Sequence, residues 1–264
     1  MAIILGVDAA WTERGSSGVA LLSSHLGVRK VLSVAPSYET FIATAAQRGA
    51  LSRHKPKSGA SKVRDLLEAA KSIANASIDV VAIDMPISKK PILGRRAADD
   101  AISEAFGAAW AGTHSPTKDR PGRYGRFLTK GFKLAGFSIA TADSWSQPSL
   151  VEVYPLAALV RLMRKRKRPG YKVSKTLTYW PGRSISDRSK LLLNSWHKIV
   201  VALQGEVGDF GFEPPKSFTS FASLKPYEDM LDATICCWMG ACFFEGAAEP
   251  FGDSDATIWI PRAG

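Results

Sequence analysis

Short apolar runs rich in Val, Ile and Leu open the chain and predict the start of a β-sheet. Residues 2–7, 17–23 and 28–34 each have the length and composition of a strand, and turn-forming residues separate them. Strands that follow one another this closely pair most simply as an antiparallel meander. We therefore expect three neighbouring strands at the start of the fold.

Further along the chain, the apolar positions change to helical spacing. Residues 61–76 place Val63 and Leu66 on one helix face. The segment 227–246 is apolar on nearly every face from Ala233 onward, which predicts a buried helix. Further helices are expected at 94–110, 155–163 and 186–203, and further strands at 79–83, 150–154 and 256–261. A meander followed by alternating strands and helices predicts a mixed α/β sheet covered by helices.

The stretch at about 107–147 interrupts this regular pattern. It is rich in Gly, Pro, Ser and Arg and has little apolar periodicity, so we interpret it as a loop-rich insertion. The remaining elements account for a single domain over residues 1–264. The hydrophobic content of 45% is ample for a buried core.

Basic residues outnumber acidic residues in this chain. It has 35 Lys and Arg against 24 Asp and Glu, which gives a formal net charge of +11. An excess of this size favours polyanionic partners, and nucleic acid (DNA or RNA) is the first of these to consider.

The N-terminus and the cysteines bear on the cellular compartment. The first residues lack the basic lead and apolar length of a signal peptide, and no apolar run is long enough to span a bilayer. We expect a soluble, cytoplasmic protein with no membrane partner. Cys236, Cys237 and Cys242 lie in one apolar stretch without metal-ligand spacing, which predicts reduced core residues.

Carboxylates adjoin apolar structure at four places. Asp8 and Asp84 each end an apolar run, Glu152 lies inside a short strand, and Asp229 and Asp232 share one face at the head of the buried helix. Converging acids repel one another, and a divalent cation is the simplest remedy. Oxygen ligands suit Mg²⁺ or Mn²⁺, which support phosphodiester hydrolysis by in-line attack of water. Taken singly, each acid could instead bind turn amides or cap a helix.

Two arginines begin the helix expected at 94–110. Arg95 and Arg96 are candidates for contacts with a scissile phosphate near Asp84. Their spacing also suits pairing with Asp99 and Asp100 four residues on, which is the structural alternative.

Two further basic clusters are candidates for gripping a nucleic-acid backbone. In the insertion, Arg123 and Arg126 alternate with the aromatic residues Tyr124 and Phe127, and a second basic run covers 161–172. Such a mixture suits phosphate binding combined with base stacking. The alternative for both clusters is a solvated surface loop.

The order of these segments resembles a known family. The stretches ILGVDAAW, VVAIDMPI, VEVYP, YKVSKTL and YEDMLDATICCWMGACF are similar, in joint order and spacing, to the domain of unknown function 429, a family of predicted ribonuclease-H-like nucleases. The resemblance runs over nearly the whole chain. It implies a ribonuclease-H-like fold, with a five-stranded mixed sheet whose first three strands are antiparallel and which helices flank.

The resemblance also implies the positions of site residues. Catalytic acids are expected on the first strand, the fourth strand and a late helix, which here are Asp8, Asp84 and Asp232, and these three are the expected metal ligands. Asp229 accompanies Asp232, and Glu152 becomes a candidate fourth ligand or supporting residue.

The expected function is that of a nuclease dependent on Mg²⁺ or Mn²⁺. On the resemblance alone, Lys175 and Arg183 are further candidate contacts for its substrate. One alternative is a nucleotide-dependent phosphotransferase of the same superfold, although the chain lacks a G-x-x-x-x-G-K-[ST] loop. Another is a non-catalytic nucleic-acid-binding protein with structural acids. The sequence leaves open the type of nucleic acid, internal or terminal cleavage, and the oligomeric state.

Overall fold

A computed structural model describes residues 1–11, 15, 17–47, 60–215 and 218–263, with only the backbone of residues 60–62. Its strands are β1 (Ala2–Asp8), β2 (Gly18–His25), β3 (Val28–Ala35), β4 (Val80–Ile83), β5 (Ser138–Ile139), β6 (Ser149–Val153), β7 (Ala248–Gly252) and β8 (Thr257–Pro261). Its helices are α1 (Tyr38–Gln47), α2 (Ala60–Ala74), α3 (Ala97–Phe106), α4 (Gly122–Leu134), α5 (Pro155–Leu162), α6 (Thr176–Tyr179), α7 (Ile185–Val207) and α8 (Lys225–Phe244).

The strands form one mixed sheet. Their order is β3-β2-β1-β4-β6-β8-β7, and β5 pairs with the first residues of β6. The pairs β1–β2 and β2–β3 are antiparallel, whereas β1–β4, β4–β6 and β6–β8 are parallel. The sheet has eight strands instead of the five that the resemblance implied, because β5, β7 and β8 extend it beyond β6.

Apolar side chains fill both faces of this sheet. Ile4 and Ala82 belong to the core under α8, which α3, α5 and α7 complete. Their neighbours Leu5 and Val81 belong to the core under α1, α2 and α4. Because successive strand residues point to opposite faces, burial on both sides produces the continuous apolar runs seen in the sequence.

The predicted buried helix is confirmed as α8, and glycines let it lie unusually close to the sheet. A Cβ atom on Gly6 of β1 would sit 2.4 Å from the carbonyl oxygen of Ala233, and one on Gly18 of β2 would sit 2.0 Å from that of Asp229. Any larger residue at Gly6 or Gly18 would therefore push the helix away. This close approach fixes the acidic end of α8 beside the end of β1.

The cysteines lie where the apolar pattern predicts. Cys236, Cys237 and Cys242 are free and buried within α8. Although α8 is apolar along much of its length, neither it nor any other helix of the described ranges combines the length and hydropathy needed to cross a bilayer.

The stretch at about 107–147 contains a helix that the sequence interpretation missed. α4 occupies 13 of its residues and packs under the sheet through Leu128. Glycine is a poor helix former, and α4 contains two where its neighbours leave no space. A Cβ atom on Gly125 would lie 2.7 Å from the ring of Pro121, and one on Gly131 would lie 2.8 Å from the side chain of Val63.

Candidate functional site

Asp8 and Asp84 lie side by side at one edge of the sheet. Asp8 is the last residue of β1, and Asp84 directly follows β4. These parallel strands pair Val7 with Ile83, and the Asp84 amide donates to the Val7 carbonyl at 2.9 Å. Neighbouring strands are about 4.8 Å apart, so the two acids start from adjacent positions at the carboxyl edge of the sheet.

Helix α8 brings Asp232 to the same place. Asp232 is fully buried; its Oδ1 accepts a hydrogen bond from the Tyr171 hydroxyl at 2.7 Å, and its Oδ2 accepts one from the Lys172 ammonium at 2.5 Å. Besides burial, the charge of Asp232 raises the pKa values of both Asp8 and Asp84, so the three carboxylates are within electrostatic reach of one another. We call Asp8, Asp84 and Asp232 the acidic cluster.

Two lysines and two further acids surround the head of α8. The Lys225 ammonium donates to Asp229 and, at 3.0 Å, to Glu228. Glu228 also accepts a 2.5 Å hydrogen bond from the Val173 amide and lies 3.6 Å from the Lys172 ammonium. These bonds fasten the segment that follows α5 onto the start of α8, and they hold Lys172 against the acidic cluster.

Negative charge exceeds positive charge in this region. Two ammonium groups, from Lys172 and Lys225, serve five carboxylates: Asp8, Asp84, Glu228, Asp229 and Asp232. Although burial alone lowers the pKa of Lys172, the neighbouring negative charges, led by Asp232, raise it well above its ordinary value. Its ammonium is therefore charged at any physiological pH.

The same imbalance affects the pKa values of the two strand-end acids. Burial, then the charge of Asp232, raises the pKa of Asp8 well above its ordinary value. Burial likewise raises the pKa of Asp84 to about 7, which Lys172 opposes and Asp232 reinforces. Burial and neighbouring negative charge thus both disfavour the ionised forms of these two carboxyl groups.

Glu152 lies in a different set of contacts. Its oxygens accept hydrogen bonds from Nη1 and Nη2 of Arg96, both at 2.7 Å, and from the Ile87 amide at 2.8 Å. Arg96 also donates to both oxygens of Asp99 and to the Ile87 carbonyl. We call Arg96, Asp99 and Glu152 the arginine network.

The arginine network is complete in itself. A guanidinium has five N–H groups, and the five hydrogen bonds of Arg96 use them all. Arg96 therefore has no N–H left for a substrate phosphate, and the structure favours the structural alternative for this residue. Glu152 is bonded to Arg96, and its charge, like that of Asp232, raises the pKa of Asp84.

Arg95 is also engaged within the protein, with a partner other than the expected one. It pairs with Asp100, and its Nη2 donates to the Asp99 carbonyl and to the Ser103 hydroxyl. The predicted pairs Arg95–Asp99 and Arg96–Asp100 are thus exchanged. The sequence spacing correctly predicted that these two arginines pair with Asp99 and Asp100. Each arginine, however, pairs with the other of the two acids.

Helix α4 presents basic residues to solvent. The Arg123 guanidinium lies 5.0 Å from the ring centroid of Phe127, and Arg126 lines a cavity of about 780 Å³ between α4 and residues 86–93. No acidic residue lines this cavity, and its basic lining residues are Lys89, Lys90, Lys118, Arg126, Lys130 and Lys133. Arg123 and Arg126 therefore remain available to an anionic ligand.

The lysine that contacts the acidic cluster is Lys172, whereas the resemblance named Lys175 as a candidate substrate contact. Lys175 and Arg183 are exposed, and within the described ranges neither side chain contacts the acidic cluster. Lys172, three residues before Lys175, is bonded to Asp232 instead. Only the fold reveals this, since nothing in the spacing separates the two lysines.

Comparison with known proteins places the chain in a family. A family profile described as "Protein of unknown function (DUF429)" matches residues 37–257. The chain belongs to the DUF429 family. No curated protein and no solved structure gives a significant match. The matched residues of this DUF429 protein include Asp84 and Asp232, whereas Asp8 precedes them, so its place in the site follows from the pairing of β1 with β4.

The acidic cluster of this DUF429 protein has the donor chemistry of a Mg²⁺ or Mn²⁺ site. Its donors are carboxylate oxygens, and no residue of the described ranges gives a hydrogen bond to the carboxylate of Asp8 or Asp84. Across the same ranges, no group of three or more His, Cys, Asp or Glu residues is arranged to hold a metal ion. Within these ranges, Asp232 is already bonded to Lys172.

Proposed function

We propose that this DUF429 protein hydrolyses phosphodiester bonds of nucleic acid with the help of one or two Mg²⁺ or Mn²⁺ ions. The order β3-β2-β1-β4-β6, with antiparallel strands first and parallel strands after, supports a ribonuclease-H-like interpretation of the sheet. Asp8, Asp84 and Asp232 come from the two adjacent strand ends and the late helix, as that interpretation requires.

The observation that carries the proposal is that Asp8 and Asp84 lie side by side at the edge of the sheet, where no residue of the described ranges donates a hydrogen bond to either carboxylate. Isolated buried carboxylates are costly, and a fold normally pairs or hydrogen-bonds them. Here Asp8 and Asp84 are kept together although the charge of Asp84 opposes ionisation of Asp8, and the charge of Asp232 opposes ionisation of both. A site that retains such repulsion is suited to a cation that arrives from solution.

The residues of the cluster have distinct roles in this proposal. Asp8 and Asp84 would hold the cation, and Tyr171 and Lys172 orient Asp232 beside them. The chemistry that a divalent cation supplies to such a site is a more acidic water and neutralisation of charge on the phosphate.

The test is cleavage of labelled nucleic acids by the purified full chain. Single-stranded and duplex DNA, RNA and a DNA–RNA hybrid are incubated with Mg²⁺, Mn²⁺ or EDTA. We expect divalent-dependent cleavage that D8N and D84N each lower at least about 100-fold, because each removes a cation ligand. E68Q is the matched control: Glu68 is an exposed acid on α2, on the opposite side of the sheet from α8. Cleavage that persists in D8N and D84N would refute the site.

A second candidate function is non-catalytic nucleic-acid binding. The observation that favours it is the bond between Lys172 and Asp232, which gives one acid of the cluster a resident positive charge. In that case the wild-type chain binds nucleic acid without turnover in any divalent metal, and D84N binds as tightly as the wild type does.

A further inference from the structure

Trp110 is a large aromatic residue that lies outside the hydrophobic core. It is 61% exposed, and its backbone φ of +62° lies in the left-handed region that bulky residues rarely adopt. The Lys167 ammonium lies 4.3 Å from its ring centroid. An exposed ring on an unfavourable backbone contributes little to folding, and such strain is concentrated where proteins meet ligands.

A run of basic residues lies beside this ring. Arg164, Lys165, Arg166 and Lys167 are exposed, and none forms an ion pair with any residue that the structure describes. Arg168 donates from Nε to the Trp110 carbonyl and from Nη1 to the Tyr179 hydroxyl at 2.8 Å. We call Trp110 together with residues 164–168 the basic aromatic surface.

The basic aromatic surface adjoins the edge of the sheet that carries the acidic cluster. The Tyr154 hydroxyl donates to the Gly112 carbonyl at 2.9 Å, and Tyr154 directly follows β6, the neighbour of β4. Trp110 precedes Gly112 by two residues, which places its Cα within about 7 Å of that glycine. Burial raises the pKa of Tyr154, and the charges of Asp84 and Arg168 both act on it, so Tyr154 is within electrostatic reach of both sites.

We propose that the basic aromatic surface binds a single-stranded stretch of nucleic acid, with one base stacked on Trp110 and backbone phosphates at Lys167 and Arg168. Stacking on a protein ring requires an unpaired base, and every base offers a flat face. Clustered cations without acid partners suit the phosphates of the backbone. The proposal rests on the nuclease function and deepens it, because it assigns unpaired strands as the substrate class.

The experiment is fluorescence anisotropy with the full chain in EDTA, where cleavage plays no part. The probes are fluorescein-labelled oligothymidylate and oligouridylate about 12 nucleotides long, an abasic oligomer of equal charge, and a duplex. We expect W110A to weaken binding of both single strands about tenfold, W110F to restore most of it, and the abasic oligomer to bind W110A and the wild type equally. We expect K167A to lower the slope of log affinity against log salt by about one, because one phosphate contact is lost.

W145A is the matched control. Trp145 is also exposed, but its ring packs against Phe243, eleven residues beyond Asp232 and so about 16 Å further along α8. Equal binding by W110A and the wild type, or tighter binding of the duplex than of single strands, would overturn the proposal. The nuclease function can be refuted separately. If binding depends on Trp110 but no divalent metal supports cleavage, the nuclease function is wrong and the binding proposal stands.

Discussion

The arginine network and the acidic cluster solve the problem of buried charge in opposite ways. In the arginine network, the side chains of Arg96, Asp99 and Glu152 are at most 8% exposed, and every guanidinium N–H has an acceptor. In the acidic cluster, Asp8 and Asp84 are partly exposed, and no residue that the structure describes donates a hydrogen bond to either carboxylate. The carboxylates near this edge of the sheet therefore divide into one group that is bonded to an arginine and another that we propose binds a cation.

The largest expected effect comes from breaking the arginine network. R96M leaves Asp99 and Glu152 buried without their cation, so we expect it to lower the free energy of unfolding by about 3–5 kcal/mol. Urea denaturation at neutral pH measures this. R95M is the control, because the partly exposed pair of Arg95 with Asp100 contributes less than about 1 kcal/mol. Equal losses in the two variants would show that the arginine network is not the structural element that we describe.

The next prediction concerns Lys172, which stabilises Asp232 and also supplies positive charge beside the acidic cluster. K172M removes the bond to Asp232, so we expect the metal-free protein to lose about 2 kcal/mol of stability. The same change adds to the excess negative charge, so Mn²⁺ should bind more tightly, as a calorimetric titration would measure. K175M removes an exposed lysine three residues away and should change neither quantity. Weaker Mn²⁺ binding in K172M would contradict the assigned charge balance.

D84N is expected to raise the free energy of unfolding, whereas the two preceding substitutions lower it. The pKa of Asp84 is raised to about 7 in the folded chain, so folding favours its protonated form. Wild-type stability therefore falls as the pH rises from about 4 through 7, and the neutral Asn avoids this loss. We expect D84N to be more stable than the wild type at pH 8 and equal to it at pH 4.

Thermal melts without metal across this pH range measure the difference. Melting temperatures of D84N below those of the wild type at pH 8 would show that Asp84 is paired in the folded chain, as Glu152 is. E68Q should follow the wild type at every pH, because Glu68 is exposed.

The sequence was sufficient to place the strand-end acids, but not to separate the two kinds of carboxylate. Asp8 and Asp84 each follow a strand-like run, and parallel strands bring such positions to one edge, which the pairing of β1 with β4 confirms. Glu152 also adjoins apolar residues, but it lies inside its strand. Its partner Arg96 lies 56 residues earlier in the chain, and no local spacing indicates a contact at that separation.

Some elements of the fold were missed because long-range packing, and not the local sequence, determines them. The helix α4 was hidden by Gly125 and Gly131, which are required by the close approach of Pro121 and Val63. The sequence reading also gave no sign of α1 or β7. Gly6 and Gly18, inside the first two strands, were the available signs of the close contact with α8 that fixes the position of Asp232.

The most direct test of the central claim is a crystal of the wild-type chain soaked in millimolar Mn²⁺ at pH 8. The account predicts anomalous density between Asp8 and Asp84, within ligand distance of Asp232 once Lys172 has moved aside. Absence of density at that position, with Lys172 still bonded to Asp232 and both strand-end acids bound to protein donors, would contradict it.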